Sequence, residues 1–428
     1  MKLKIKNGRI IDPATKTDMI GTLVVEDGVI VSLGCEEVCL EDGMEGQIIQ
    51  AEGCYVMPGL VDLHVHLREP GFEYKETIET GCKAAINGGF TTIFAMPNLK
   101  PVADSPDIIR YVEEKGKEQG IHVHQVGAIT KGQAGVELAD LEGMFEAGCI
   151  AISEDGKSVM NSGLYREAME IAAKHNVPVF AHCEDINLVQ GGVMNLDQKS
   201  HELGLKGISN AVEDIIVARD ILLAKETGAR LHLCHCSTKD SVEMTKQAKA
   251  EGVKVSAEVC PHHFSMSTED IKNDDGNYKM NPPLRSKEDV EALKRGLQEG
   301  IMEAISTDHA PHSAEEKQGS MTKAPFGIVG LETAVALTIT NLVKTGYLTP
   351  MQMAERMSYA PAQIAQINAG RLEVGMPADI VIIDPDKKYV IDEKDFCSKG
   401  HNTPFIGQEV YGEVVATICN GKVLKNLR

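Results

Sequence analysis

The sequence has no apolar run long enough to cross a bilayer, which takes about 20 consecutive residues, so no membrane-spanning helix is expected. Its opening, Met1 to Asn7, alternates charge with hydrophobe as a strand does and has the look of neither a signal peptide nor an anchor. Blocks of five or more Lys/Arg are missing, and the formal net charge is -20. A chain this acidic repels phosphate backbones and anionic lipid surfaces, which argues against nucleic-acid and membrane roles. It does not exclude an anionic small substrate, because a few positive groups and metal ions can dominate the field inside a pocket. Low-complexity segments and long linkers are also missing. So is a disulfide framework: the 11 cysteines are odd in number and scattered through apolar stretches, as buried thiols in a reducing compartment would be. A cytoplasmic location is expected. Cys234-His235-Cys236 has the form of half a zinc knuckle, but no second pair at ligand spacing accompanies it.

What is present is a globular composition, 43% hydrophobic and 25% charged over 428 residues, enough for a large core and two domains. From about Met57 to Ile367 one theme repeats: a short β-branched run, a turn, then an amphipathic stretch closing on Gly or Asn. Eight candidate strands can be read, at 56–66, 91–96, 122–128, 148–153, 177–182, 230–235, 254–259 and 302–307. Strands alternating with helices in this number favour an α/β fold of the closed (β/α)8 TIM type over residues 56–370. Ala211–Thr227 predicts one of its helices, with Ile215, Ile216, Ala218, Ile221, Leu222 and Leu223 on a broad apolar face and Gly228 as terminator. The two ends differ, with short strands such as 380–383 and 414–418 and turns such as Glu26-Asp27-Gly28. Neither end is long enough for a core alone, so residues 1–55 plus 371–428 are expected to form one small composite β-sandwich.

In His64-Val65-His66, strand alternation puts both imidazoles on one face, where both can reach one ion. A lone pair of this kind is weak evidence, and His122-Val123-His124 repeats the spacing. That second pair opens a candidate strand, whereas His64 and His66 close one, and barrel active sites gather at the C-terminal strand ends. The second pair is therefore expected to be structural. Asp155, His182, His235 and Asp308 each follow a later strand and share that address. Four imidazoles and two carboxylates suit zinc, exceed the four ligands of one tetrahedral ion, and allow a carboxylate to bridge two.

The motifs His64-Val65-His66-Leu67-Arg68-Glu69-Pro70-Gly71, Met96-Pro97-Asn98, His182-Cys183-Glu184-Asp185, Asn281-Pro282-Pro283-Leu284-Arg285 and Asp308-His309-Ala310-Pro311-His312 resemble, in order and spacing, those of dihydroorotases within the amidohydrolase superfamily. The tail from Pro377 to Asp384 is similar too, so the resemblance runs over essentially the whole chain. Allantoinases and hydantoinases share these motifs individually, but they and the smaller dihydroorotases generally bridge their metals with a carboxylated lysine. This chain instead reads Ser153-Glu154-Asp155-Gly156, which resembles the larger bacterial type, whose bridge is an aspartate before glycine. Lys157 remains open as a carboxylated alternative. The family usually has Asp where Glu154 stands, which bears on the surroundings of Asp155.

The resemblance implies that His64, His66 and Asp308 hold one zinc and His182 and His235 another, with Asp155 and a hydroxide shared between the two ions. It implies that Arg68, Asn98 and His312 grip a substrate carboxylate, with His66 beside them, while Asn281 and the backbone at Phe326 and Gly327 contact the ring's amide edges. Arg68 could instead pair with Glu69, and Asn98 could cap its own turn. His262 and His263 are left outside the site, and Arg285 is expected to support a loop. The implied reaction is the reversible interconversion of dihydroorotate and N-carbamoyl-L-aspartate, with Asp308 as proton shuttle. Allantoinase or hydantoinase/dihydropyrimidinase activity is the alternative. A non-catalytic barrel partnering a transcarbamoylase is a remote one, which every expected ligand being present argues against. The expected partner is a small-molecule substrate, with homo-oligomerisation, as a dimer, and association with a transcarbamoylase left as further expectations.

Overall fold

The structure is a computed structural model that describes residues 2–34 and 46–427. Parallel pairing runs in chain order through the middle of the molecule. Leu60–Val65 pairs with Phe90–Ala95, which pairs with His122–Gln125; Gly127–Ala128 continues to Ile152–Ser153, Val179–Ala181, Leu231–Leu233, Val255–Val259 and Ala304–Ile305. Beyond the last strand, a parallel bridge joins His309 to Val65, and the His66 N–H donates to the His309 carbonyl at 2.8 Å. Helices such as Ile78–Asn87, Pro106–Lys117, Ser162–His175 and Lys287–Glu299 alternate with these strands. This is an α/β fold built on parallel sheets.

Several hydrogen-bonded strands are shorter than their apolar runs. Of 148–153 only Ile152–Ser153 pairs, because Gly148 at φ +103 is still turning out of the preceding helix. The run 56–66 divides at Gly59, where a Cβ would lie 2.2 Å from Thr91 Oγ1. Tyr55–Pro58 therefore pairs with Lys2–Asp12 and Ile380–Val390, and only Leu60–Val65 enters the parallel ladder.

The two ends of the chain meet in one eight-stranded sheet, in which Lys2–Asp12, Thr17–Glu26, Val29–Gly34, Gly46–Gln50 and Tyr55–Pro58 join Ile380–Val390, Glu409–Cys419 and Lys422–Asn426. Strand alternation divides its side chains between two cores. Ile380 and Ile382 pack with Leu3, Ile5, Leu23 and Ile30, whereas Val381 and Ile383 turn to the main core with Leu60 and Phe90. Burying an aliphatic side chain of this size contributes about 1.5–3 kcal/mol, so the double-sided strand ties the terminal sheet firmly to the rest.

Ala211–Thr227 is a helix, ended by Gly228 at φ +71. Its apolar face is narrower than expected: Ile216, Val217, Ile221 and Ala224 are buried, while Ile215 and Leu222 are exposed. At 100° per residue, positions seven apart share one side, and here that side faces outward. No helix among the described residues is long and apolar enough to cross a membrane. Nine cysteines are described, all free and all buried except Cys397; Cys35 and Cys39 lie outside the described residues.

Candidate active site

The ligand-type residues lie at or just beyond strand ends. His64 and His66 close Leu60–Val65, Asp155 follows Ile152–Ser153, His182 follows Val179–Ala181, His235 follows Leu231–Leu233, and Asp308 follows Ala304–Ile305. Arg68, His235 and Asp308 hold left-handed backbone, at φ 63, 34 and 48. Such conformations cost a non-glycine residue about 1 kcal/mol or more and cluster where strand ends aim side chains at a functional site.

Asp155 stands at the centre. Its Oδ1 lies 3.1 Å from His64 Nε2, 3.2 Å from His182 Nδ1 and 3.5 Å from His235 Nε2, and its Oδ2 lies 3.5 Å from His66 Nε2. Asp308 Oδ1 is 3.1 Å from His66 Nε2 and 3.6 Å from His64 Nε2. The nitrogens His182 Nδ1 and His235 Nε2 approach to 2.9 Å. Ligand atoms of His64, His66 and Asp308 all lie within 4.8 Å of one another, as do those of His64, Asp155 and His235. His64 Nε2 and Asp155 Oδ1, close but misaligned, are both buried without a hydrogen-bond partner. Buried polar atoms are rarely left so, and lone pairs converging on one point are what a cation requires.

Neighbours fix which nitrogen of each ring faces inward. Glu258 Oε1 lies 3.1 Å from His64 Nδ1 and Asn98 Oδ1 lies 2.8 Å from His66 Nδ1, so in both rings Nε2 is turned to the centre. Glu184 Oε2 takes His182 Nε2 at 3.2 Å, leaving Nδ1 inward. A metal-binding histidine needs this kind of support on its far side. Glu258 is fully buried, also holds His232 Nε2 at 3.0 Å, and accepts the His235 N–H at 3.2 Å. Asp62, equally buried, accepts the N–H groups of His64 and Thr307 at 3.0 and 3.1 Å, and burial pushes its carboxyl up to about 7.

The electrostatics favour cations at this centre. Burial works to raise Asp155, yet His64, His182 and His235 hold its carboxyl well below the ordinary range. Burial likewise opposes Asp308, which His66 and His64 bring down to about 2. On His182 burial works to lower the imidazole, and Asp155 and Glu184 push it up to about 10. Positive charge is thus strongly stabilised at the place where the lone pairs converge.

A cavity of about 280 Å³ opens above the centre, lined by His66, Arg68, Asn98, Asp155, His182, His235, Asn281, Asp308, His312, Phe326 and Gly327, together with Gly156, Glu184 and Ala310. His64 lies beneath it, fully buried. Arg68 donates from Nε to the Pro311 carbonyl at 3.3 Å. Glu69 pairs with Lys115 and Tyr111 and accepts the Ile78 N–H, so it is not the partner of Arg68. Among the described residues no carboxylate lies within ion-pair distance of Arg68. Asn98 braces His66 instead of capping its own turn. His312 Nε2 lies 2.8 Å from the Phe326 carbonyl, whose second lone pair can still accept a ring N–H. The Gly327 N–H is already donated to the Lys279 carbonyl at 3.0 Å, so this part of the expected backbone contact is engaged within the protein. Asn281 Nδ2 donates to Glu184 Oε1 at 3.0 Å, which makes Glu184 a wall residue missing from the expected site.

Lys157 is exposed and donates to the Gln133 carbonyl at 2.9 Å, outside the cavity. The Gln133 side chain in turn donates to the Asp155 carbonyl at 2.9 Å, while Glu154 accepts from the Thr130 hydroxyl and N–H. Gly156 has φ +84, and a Cβ there would press on Asn98 Nδ2 at 3.0 Å, which accounts for glycine after the aspartate. His122 pairs with Asp379 at 3.0 Å and His124 packs on Phe94, where burial pushes its imidazole down to about 4. His263 lies 2.9 Å from the Pro282 carbonyl, its ring tilted 56° to that of His262 at 4.2 Å, and neither residue lines the cavity. Burial, with the charge of Glu258, pushes the Cys234 thiol up, which disfavours a thiolate ligand. Arg285 donates to Ser237, Asn195 and the Ile208 carbonyl, binding loops together.

Residues 53–241 match the family model described as Dihydro-orotase-like. The chain is 48% identical over 424 residues to a protein of Pelotomaculum thermopropionicum named Dihydroorotase, spanning 99% of this chain and 98% of that one. The chain belongs to the dihydroorotase family. A second relative of that name, from Acetivibrio thermocellus, is 47% identical with 98% of each chain covered. Among solved structures, the L-hydantoinase (dihydropyrimidinase) of Arthrobacter aurescens is similar with a TM-score of 0.87, at 26% identity and over 99% of this chain and 96% of that one. A D-hydantoinase (dihydropyrimidinase) from Thermus sp. is similar with a TM-score of 0.82 at 26% identity, over 99% of this chain and 95% of that one. The dihydroorotase family is thus met in sequence and the wider cyclic-amide hydrolases in fold.

Proposed function

We propose that this chain is a dihydroorotase, reversibly converting dihydroorotate and water into N-carbamoyl-L-aspartate. The observation that carries the reading is the pairing of an anionic, imidazole-rich centre with Arg68 on the wall of the same cavity. A ring amide placed over the centre would bring its carboxylate to a guanidinium that has no carboxylate within ion-pair distance among the described residues. The strands in chain order and the bridge from His309 back to Val65 support a closed (β/α)8 barrel over 56–370. The terminal sheet forms the second unit, from 1–55 plus 371–428, extended to Pro58 by the pairing of Tyr55–Pro58.

His64, His66 and Asp308 would hold one metal ion and His182 and His235 a second, with Asp155 between them; the donor set of nitrogen and carboxylate oxygen suits zinc. When bound, the two ions supply a hydroxide near neutrality and polarise the carbonyl under attack. Asp308, at the centre and facing the cavity, accepts the proton of the attacking oxygen as the new C–O bond forms. It then delivers that proton to the ring nitrogen as the C–N bond breaks. Arg68 holds the substrate carboxylate, with His312 on the wall beside it, and Asn281 with the Phe326 carbonyl orients the ring. The open product carries one more carboxylate than the ring, so lower pH favours dihydroorotate and higher pH favours carbamoyl aspartate.

Arg68→Met keeps much of the stem and deletes the charge. Losing a charge-assisted pair costs roughly 1.5–3 kcal/mol, so KM for both dihydroorotate and carbamoyl aspartate is expected to rise about ten- to a hundredfold. Metal content should be unchanged, since a guanidinium offers no lone pair. Steady-state kinetics beside a neutral hydantoin tests this. Wild-type protein that prefers the hydantoin, or a variant with wild-type KM for both anions, removes the reason for choosing dihydroorotate.

A further inference from the structure

Lys317 closes the short helix Ala314–Lys317 and is 4% exposed. Its Nζ donates to the carbonyls of Lys279 at 2.9 Å, Pro325 at 3.1 Å and Gly327 at 2.8 Å. An ammonium has three N–H donors, so its bonding capacity is filled by these backbone oxygens alone. No carboxylate lies within ion-pair distance of it among the described residues. A buried cation without a counter-ion is unfavourable, and burial together with the charge of Lys279 pushes this one down to about 7 against the pull of Asp275. A lysine retained in such a place has to be accounted for by what its bonds hold.

They hold two loops against each other. The first, 279–281, carries Asn281 into the cavity, and the second, 325–327, supplies Phe326 and Gly327 to its wall. The second has little reason to keep its shape alone. Gly327 sits at φ +145, and a Cβ there would lie 2.7 Å from the Ala310 carbonyl. Its form is imposed by donors around it. Besides Lys317 these are Asn402 Nδ2 to the Gly327 carbonyl at 3.1 Å, His312 Nε2 at 2.8 Å from the Phe326 carbonyl, and Lys279 Nζ to the Ala324 carbonyl at 2.6 Å. The Lys279 ammonium also lies 4.5 Å from the centroid of the Phe326 ring. Lys317 is the side chain outside both loops that bonds carbonyls in each, and it reinforces the direct bond from the Gly327 N–H to the Lys279 carbonyl at 3.0 Å.

We infer that Lys317 is a positioning residue for substrate, pinning the 325–327 loop to the 279–281 loop so that Asn281 and the Phe326 carbonyl meet the ring together. It touches neither the substrate nor the metal-binding residues. The inference rests on the dihydroorotase reading of the cavity. Its effect should therefore fall on substrate binding and not on metal content or proton transfer.

The test uses the metal-loaded full-length protein with Lys317→Met, which fills the space without donors, and Lys317→Gln, which keeps an amide donor. Displacing binding groups by about 1 Å costs large factors, so KM for dihydroorotate and carbamoyl aspartate is expected to rise at least about tenfold in the methionine variant, and less in the glutamine variant. The kcat should stay within about threefold, the pattern of lost ground-state binding. Metal per chain should equal wild type, and amide exchange at Phe326 and Gly327 should quicken at least about tenfold without substrate. KM within about twofold of wild type in folded Lys317→Met overturns the inference. So do unchanged exchange, loss of metal, or failure of both variants to fold, each of which makes Lys317 a general structural residue or none. Wild-type protein that leaves dihydroorotate untouched overturns the functional reading instead, and the inference falls with it.

Discussion

Asp308→Asn is expected to lower kcat by about a hundredfold or more in both directions, the scale of a lost general acid–base group. The amide keeps the carboxylate's shape but cannot accept the proton of the attacking oxygen or hand it to the ring nitrogen. The amide gives up the pairing with His66 and His64 that holds this carboxyl down to about 2, so circular dichroism should accompany the kinetics to show that the variant is folded. Asp308 Oδ1 lies 3.1 Å from His66 Nε2, so metal affinity is expected to weaken as well, and the kinetics should be measured at saturating metal. Full activity of the variant in ring opening and ring closure would leave Asp308 as a ligand or a structural group only.

A still larger loss is expected from Asp155→Ala. Among the described residues Asp155 is the only carboxylate within 3.5 Å of all four site imidazoles, so in the proposed two-metal site its removal takes the shared ligand and leaves Asp308 as the one carboxylate of the proposed ligand set. Purified variant should carry little metal and show no turnover at ordinary metal concentration. Lys157→Ala should leave metal and activity nearly unchanged, because that ammonium is exposed and bonded to the Gln133 carbonyl. Metal analysis of the two variants side by side distinguishes the bridges. Metal lost from the lysine variant and restored by a short-chain carboxylic acid would install a carboxylated lysine in place of Asp155.

Much of this site was legible because its chemistry is local to strand ends. His64-Val65-His66 reveals itself by alternation, and the decoy at His122-Val123-His124 is separated from it only by its place at the start of a strand, where its rings meet Asp379 and Phe94. What was not legible depends on contacts distant in sequence. Only the fold puts Glu258 against His64, 194 residues away, and against His232. Alternation points away from it, since Lys254, Ser256 and Glu258 share one face of that strand and Val255, Ala257 and Val259 the other. Asp62 did carry a signal, as an acid in an apolar strand two residues before His64 and on the same face. Glu184 stood within a motif and still gave no sign of its contact with Asn281, 97 residues on. Strand lengths were overread for a different reason. Apolar runs mark where side chains are buried, whereas the ladder ends wherever a turn begins, as at Gly148 and Gly59. On Ala211–Thr227 the helix was evident and its inward face was not, because Ile215 and Leu222 add hydrophobicity on the exposed side.

Dihydroorotate turnover followed as zinc is returned to chelated protein tests the two-metal dihydroorotase most directly. Turnover should be absent without metal and should saturate at about two ions per chain. Activity that survives exhaustive chelation, saturation at about one ion, or reloaded protein that opens hydantoin but not dihydroorotate would contradict it.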